Sequence, residues 1–189
     1  MIEQEFFTVV HSLTSNIEPL DESFLLPDDE DFIAEIPVPF VVASEFSQLE
    51  QLADTAKQEL KSRDLKSLVN LLDSQNRKLN LLLNFMLSQQ NEPSLCHQTV
   101  SFGASQFTYT SDTPVATGTR LRVKLFLDYP PSAIYCYAEV ESCQQEGSYY
   151  SVKARYVRLR DSDQDLLIKA ALYQQQKLLR QRSVERDND

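Results

Sequence analysis

The spacing of apolar and polar residues divides the chain into three regions. Residues 1–44 mix short apolar pieces with acidic residues and prolines: "EFFTVVHSL" is compatible with a strand or a short helix, and "LLPDDEDFIAEIPVPFVVAS" is predicted to be extended with turns. Residues 45–90 contain neither proline nor glycine and are rich in helix-forming residues. From Leu95 to Val157 the spacing changes to the alternation that is typical of strands.

Apolar residues of the helical region recur in steps of three and four. In its second half they form just over three heptads with one polar member, Gln75: Leu65, Leu68, Leu72, Gln75, Leu79, Leu82 and Met86. An earlier set between Leu49 and Leu60 is out of phase with these heptads, so the pattern predicts either two helices or one helix with a shifted seam. The consecutive leucines 81–83 make the helix apolar on nearly all sides, which favours self-association over packing on its own chain alone.

Five short runs in the third region alternate or are rich in strand-forming residues: "HQTVSF", "SQFTYTS", "TRLRVKLFL", "SAIYCYAEVESC" and "SYYSVKARYV". Turn compositions such as "DYPP" and "QQEG" separate them. This spacing predicts a small antiparallel barrel or sandwich. A helix follows, in which Ser162 and Asp165 have nearly the spacing of a capping box, and "SVERDND" is predicted to be a frayed tail.

The charge is unevenly distributed. The net charge is −10, and residues 1–56 hold thirteen acidic residues and no Lys or Arg, whereas Tyr150 to Arg182 holds eight basic residues and three acidic ones. Such an acidic chain is a poor DNA binder, because affinity for DNA comes from neutralising phosphates. The basic part is expected to meet an anion, an acidic partner or the acidic N-terminal region of its own chain.

No apolar run approaches the ~20 residues that span a bilayer. The start, "MIEQEFF", lacks the basic and apolar parts of a signal peptide. A cytoplasmic protein that does not insert into membranes is therefore expected.

Few residues offer catalytic or metal-binding chemistry. Three scattered cysteines, two histidines and three glycines predict no disulfide framework, zinc site or phosphate-binding glycine loop. Cys96 and His97 are adjacent, but neighbours in a strand point to opposite faces and are poorly placed to cooperate. The sequence therefore predicts neither an enzyme nor a bound cofactor.

Basic residues alternate with apolar ones in two predicted strands: Arg120, Arg122, Lys124, Lys153 and Arg155. They form either a solvated outer face or, if the two strands are neighbours, a cationic patch for an anionic ligand or an acidic partner.

The order of these elements resembles a PilZ domain. The resemblance covers residues 95–182 and is strongest in "VKARYVRLRDSDQDLLIKAALYQQQKLLRQR", where a last strand runs into an acidic loop and a helix with paired apolar residues. It implies a six-stranded antiparallel barrel with a C-terminal helix. A long heptad helix directly before such a barrel is similar to the atypical, tetramer-forming PilZ proteins, whose helices make a parallel four-stranded coiled coil.

PilZ domains are bacterial receptors for cyclic di-GMP, and the resemblance implies two ligand motifs. One is R-x-x-x-R before the barrel, where this chain has "QQNEPSLCH" with no arginine. The other is [D/N]-x-S-x-x-G at the first strand break, where its three positions are Ser101, Gly103 and Gln106, and none of them matches. The standard binding constellation is therefore absent.

The resemblance implies a non-enzymatic signalling adaptor, a homo-tetramer that binds an unidentified protein partner in cyclic di-GMP-linked pathways. The alternative is a true cyclic di-GMP receptor that uses Arg120, Arg122, Lys124, Lys153 and Arg155. The predicted organisation is an acidic segment without assigned structure (1–44), a helical oligomerisation region (45–92), the barrel with its helix (93–182) and a disordered tail (183–189).

Overall fold

The computed structural model describes residues 8–62 and 65–186, and the side chains of residues 50–57, 59–64 and 182–186 are outside this description. The last residues of the predicted tail, 187–189, lie outside the described residues. The helices are α1 (Asp29–Glu35), α2 (Val38–Ser62), α3 (Lys66–Ser88) and α4 (Asp161–Arg186). The strands are β1 (Thr8–Val10), β2 (Thr14–Pro19), β3 (Cys96–Gly103), β4 (Gln106–Ser111), β5 (Arg120–Leu127), β6 (Ser132–Glu146) and β7 (Tyr149–Arg158).

The strands form a closed antiparallel barrel. Both β1 and β2 pair with β3, in the registers Val9↔Phe102 and Ser15↔His97, so together they act as one interrupted strand. The order then runs β2-β5-β6-β7-β4, and a pairing between β4 and β3 closes the ring. The predicted α+β fold, a six-stranded antiparallel barrel with a C-terminal helix, is confirmed.

The first barrel strand comes from the acidic N-terminal region. The five strands predicted after Leu95 are β3 to β7, and residues 1–44 supply β1, β2, α1 and the start of α2. The extended chain predicted for "LLPDDEDFIAEIPVPFVVAS" is wrong, because the Asp28 side chain caps α1 and the last two prolines lie at the start of α2, where proline is tolerated. β2 pairs with β5 from Ser15↔Leu125 to Pro19↔Leu121, which places it between β3 and β5. The barrel strands are therefore not consecutive in the sequence, because α1, α2 and α3 lie between β2 and β3.

The barrel interior follows from strict alternation. In β5 every second residue is fully or almost fully buried (Leu121, Val123, Leu125 and Leu127), and the residues between them face outward. Leu167 and Ala171 of α4 join the same apolar cluster. Helix α4 therefore packs on the core of the barrel.

A second apolar cluster lies outside the barrel. Phe40 at the start of α2 and Leu87 at the end of α3 pack together with the outward-facing Tyr135 and Tyr137 of β6. The start of α2 thus meets the end of α3, and the two helices form an antiparallel hairpin on the barrel wall. The described residues hold no single long heptad helix before the barrel, but two helices of 25 and 23 residues.

Within the described ranges, no single helix is long and apolar enough to cross a membrane. The segments Asp29–Glu35 and Val38–Leu49, bent by 95°, meet that test only as a pair. Their residues Phe32, Ile36 and Phe40 are buried in the second apolar cluster.

Candidate functional site

The predicted heptad residues of α3 lie on an exposed apolar face. Leu65, Leu68, Leu72, Leu79, Leu82 and Met86 are 38–63% exposed, and Gln75 is exposed among them. The side of α3 that packs within the chain carries Val69, Leu83 and Leu87 instead. The structure therefore brings the seven predicted positions together on one surface, which we call the α3 seam.

The exposed apolar surface extends beyond the α3 seam. Leu71, Leu81 and Phe85 are 56–69% exposed and lie outside the heptad positions. The three consecutive leucines lie on different sides of α3: Leu83 is buried in the second apolar cluster, whereas Leu81 and Leu82 are exposed. The heptad count missed Leu71 and Phe85, although their apolar character was visible in the sequence.

The three ligand-motif positions lie at the β3–β4 turn. Ser101 and Gly103 pair with Val10 and Thr8 of β1, so β1 occupies this edge of β3. The turn is also held by hydrogen bonds from Gln164 Nε2 to the Ala104 carbonyl (3.3 Å) and from the Tyr156 amide to the Ser105 carbonyl (3.0 Å). These contacts are structural and come from the chain itself. The third motif position, Gln106, pairs with Arg155 of β7.

The five candidate basic residues lie on two strands that are not neighbours. β6 separates β5 from β7, and Glu139 of β6 pairs with Arg120 on one side and Arg155 on the other. Each cation has a partner in the chain. The pairs are Arg120 with the Phe24 carbonyl, Arg122 with Glu18 (2.6 Å), Lys124 with Glu92, and Lys153 and Arg155 with Glu141 (3.4 Å each).

Residues 20–37, which link β2 to α2 and include α1, lie across the outer face of β5 to β7; we call them the strap. The Arg122 guanidinium lies 5.9 Å from the ring centres of both Phe24 of the strap and Tyr137. Tyr137 donates a hydrogen bond of 2.5 Å to Glu35, and Tyr135 donates one of 3.3 Å to the same oxygen. Burial, and next the hydrogen bond with Tyr137, raise the pKa of Tyr135, so its phenol remains a neutral donor.

The strap is also fixed in its middle. Asp29, at the start of α1, forms an ion pair with Arg158 of β7. Acidic residues near the N-terminus therefore neutralise basic residues of the barrel, which is one of the three possibilities that the charge distribution left open.

A cavity of about 410 Å³ lies beside the strap. Two cations, Arg122 and Lys124, line it together with Tyr135, and each cation already contacts a carboxylate, from Glu18 and Glu92. The charges at the cavity are therefore balanced. An anion that binds these cations would compete with the two carboxylates.

Cys96 and His97 do not form a nucleophile–base pair. Cys96 is exposed, while His97 contacts the Thr110 carbonyl through Nδ1 (3.0 Å) and packs edge-on against Tyr109. Burial raises the pKa of Cys136, which lies inside the barrel as a protonated thiol. Among the described residues no group of three or more His, Cys, Asp or Glu could hold a metal ion.

No family model matches the chain, and no curated protein matches it. Among solved structures, the fold is similar to that of a tetrameric PilZ domain from Xanthomonas campestris, described as self-assembled via an unusual helical bundle. The two are 16% identical, with a TM-score of 0.56 over 93% of this chain and 91% of that one. This likeness confirms the predicted PilZ-like fold and extends it to nearly the whole chain.

The Bacillus subtilis inhibitor of motility MotI/DgrA is also similar, at 15% identity and a TM-score of 0.41. The match covers 43% of this chain and 42% of that protein.

Proposed function

We propose that this chain is a non-enzymatic adaptor of the PilZ type that forms a homo-tetramer through α3 and acts on a protein partner in cyclic di-GMP-linked signalling. The observation that carries the proposal is the exposed apolar surface of α3, with the α3 seam and Leu71, Leu81 and Phe85 beside it. Contiguous apolar patches of this kind mark interaction sites on protein surfaces.

The width of this surface favours an assembly of more than two chains. A two-stranded coiled coil covers only the seam of each helix. Here Leu71 and Phe85 lie outside the seam and are still 56% and 65% exposed, so a second neighbouring helix is needed to cover them. The tetrameric helical bundle of the Xanthomonas campestris protein supports the same arrangement for this chain.

The barrel supports an adaptor role more than a standard receptor role. The positions Ser101, Gly103 and Gln106 do not carry the ligand motif, and β1 occupies the strand edge beside the first two. Four copies would instead present identical barrel surfaces, which raises avidity for a partner without new contacts.

Light scattering tests the assembly. We expect a four-chain mass for the full chain and a one-chain mass, or aggregate, for Leu72→Asp combined with Leu79→Asp, because burying carboxylates in the seam is strongly unfavourable. The matched control is Asn70→Asp with Asn84→Asp, which adds the same charges at exposed positions of α3 outside the seam and should keep the four-chain mass. An unchanged mass in the seam variant would contradict the proposal.

A second candidate function, a receptor that binds cyclic di-GMP through other residues, is favoured by the cavity at Arg122, Lys124 and Tyr135. Calorimetric titration of cyclic di-GMP into the full chain separates the two. The adaptor proposal expects no heat from the folded oligomer. Heat that saturates at micromolar ligand and is lost on Arg122→Glu with Lys124→Glu, the two cations that line the cavity, would establish the receptor.

A further inference from the structure

Helix α4 has a second side that the barrel does not use. Its buried side carries Leu167, Ala171 and Gln174. On the outer side, Lys169, Tyr173 and Lys177 follow one another at four-residue spacing, and Arg180 continues the line. Residues at this spacing share one helix face, and we call these four residues the α4 stripe.

The basic residues of the α4 stripe differ in their contacts from the basic residues of β5 and β7. Seven basic residues of these strands and of the loop before α4 contact another group of the chain: Arg120, Arg122, Lys124, Lys153, Arg155, Arg158 and Arg160. Over the described ranges 8–62 and 65–186, Lys169, Lys177 and Arg180 are exposed and form no ion pair. In a chain with a net charge of −10, this is a site of locally unneutralised positive charge.

Apolar and aromatic groups border the α4 stripe. The ring of Tyr173 stacks on that of Tyr129, from the β5–β6 turn, with 4.1 Å between the ring centres, and both tyrosines remain exposed. Ile168 and Leu172 are also exposed on α4. Exposed tyrosines beside cations suit a partner surface that combines carboxylates with apolar side chains.

The outward side of the strap has that chemistry. Glu30 and Asp31 are exposed and form no ion pair with any residue of the described chain. Leu25 and Ile33 of the strap, and Val38 directly after it, are 59–83% exposed. The inward side of the strap is held on the barrel by Phe32 and Glu35, so this outward side is presented in a fixed position.

We infer that the strap of one copy docks on the α4 stripe of the next copy, with Glu30 and Asp31 opposite Lys177 and Arg180. The inference rests on the proposed tetramer, because α3 would hold the two surfaces at a high effective concentration. The strap of each copy contacts the α4 stripe of the next copy, so the contact is heterologous. Every strap and every α4 stripe in the tetramer is then covered only if the four copies form a closed ring. A parallel helix bundle provides that ring.

Zero-length carbodiimide cross-linking of the full chain tests the contact, because it joins a lysine only to a carboxylate in direct contact. A sample assembled from unlabelled and ¹⁵N-labelled chains is cross-linked and analysed by mass spectrometry. We expect Lys177 or Lys169 joined to Glu30 or Asp31 in peptides that combine one labelled and one unlabelled chain. High salt should reduce the yield, because it screens exposed charges.

Two variants keep every reacting side chain and remove the docking. In Arg180→Glu and in Ile33→Arg the yield between chains should fall about five-fold, because each places like charges opposite one another. Arg77→Glu, the same charge change on α3, is the control and should keep the wild-type yield. The light-scattering mass should stay at four chains in all three variants.

The outcomes separate this inference from the proposed function. A four-chain mass without the cross-link, or with one only inside single chains, overturns the docking and leaves the tetramer. A yield that Arg180→Glu and Arg77→Glu change equally also overturns it. A one-chain mass for the unaltered protein contradicts the proposed function and removes this inference with it.

Discussion

The hydroxyl of Tyr137, on the outer face of β6, donates a hydrogen bond of 2.5 Å to the carboxylate of Glu35 in α1. Tyr137 is fully buried beneath the strap and lies beside the guanidinium of Arg122. This one contact joins the acidic N-terminal region to the centre of the barrel wall. It indicates that the strap is part of the folded domain.

We predict that Glu35→Gln and Tyr137→Phe each lower the free energy of unfolding by about 1–3 kcal/mol, because each weakens a charge-assisted hydrogen bond at a buried phenol. Urea unfolding of both single variants and the double variant gives the coupling energy. We expect about 1 kcal/mol or more, as for directly contacting groups. Glu45→Gln, at an exposed position of α2, is the control and should leave stability unchanged. Strictly additive effects would show that the contact contributes nothing.

Gln75 is the one polar residue of the α3 seam. A polar residue in such a seam fixes the register of the helices at a cost in stability. Gln75→Leu should therefore raise the melting temperature of the oligomer and broaden its distribution of masses, measured by calorimetry and light scattering. Asn84→Leu, which adds a leucine at an exposed position of α3 outside the seam, should do neither. Equal effects of the two substitutions would place Gln75 outside the assembled interface.

Asp163 is fully buried at the start of α4 and binds Arg160 through both oxygens at 2.8 Å. Burial raises its pKa, and the opposing effect of Arg160 does not reverse that. Between the unfolded value of about 3.9 and the raised value, the folded state holds more protons, so this group's contribution to stability falls as pH rises.

The free energy of unfolding of the unaltered chain minus that of Asp163→Asn should therefore be larger at about pH 3.5 than at neutral pH. At about pH 3.5 the stabilising contribution of Asp163 is present, because that pH lies below the unfolded-state pKa of about 3.9. Thermal unfolding at both pH values measures it, with the exposed Asp165→Asn as the control. A difference that grows with pH would show that Arg160 outweighs burial.

The barrel could be predicted because its strands carry their own signal. In β5 the alternation of Leu121, Val123 and Leu125 with basic residues indicates a strand with one buried face, and the structure has that strand. The paired apolar residues Leu166 and Leu167 likewise mark the helix that packs on the core.

The first barrel strand could not be predicted, because its stabilising partners are distant in sequence. Asn16 of β2 is buried, which its polar side chain does not suggest. Its amide group donates to Asn91 and to the Glu92 carbonyl, and its oxygen accepts from the Glu92 amide. Contacts between residues so far apart leave no local pattern.

The same limit applies to the candidate basic patch. Arg122 and Lys124 were visible as an alternating series, but their partners Glu18 and Glu92 lie in other regions of the chain. A local pattern shows which side chains face outward, and it does not show which segment covers them.

The interrupted barrel has a consequence for how the protein is made. As the chain leaves the ribosome, β2 emerges well before β3 and β5, its two neighbours in the sheet. Closing a ring between distant segments is slow, because the entropy of the long intervening loop is lost before the contacts form. The hairpin of α2 and α3 can form during this interval. Its exposed leucines are then accessible to other copies of the chain before β3 and β5 have been synthesised and can pair with β2. In the proposed tetramer, assembly of the chains and folding of the barrel would therefore proceed in the same period.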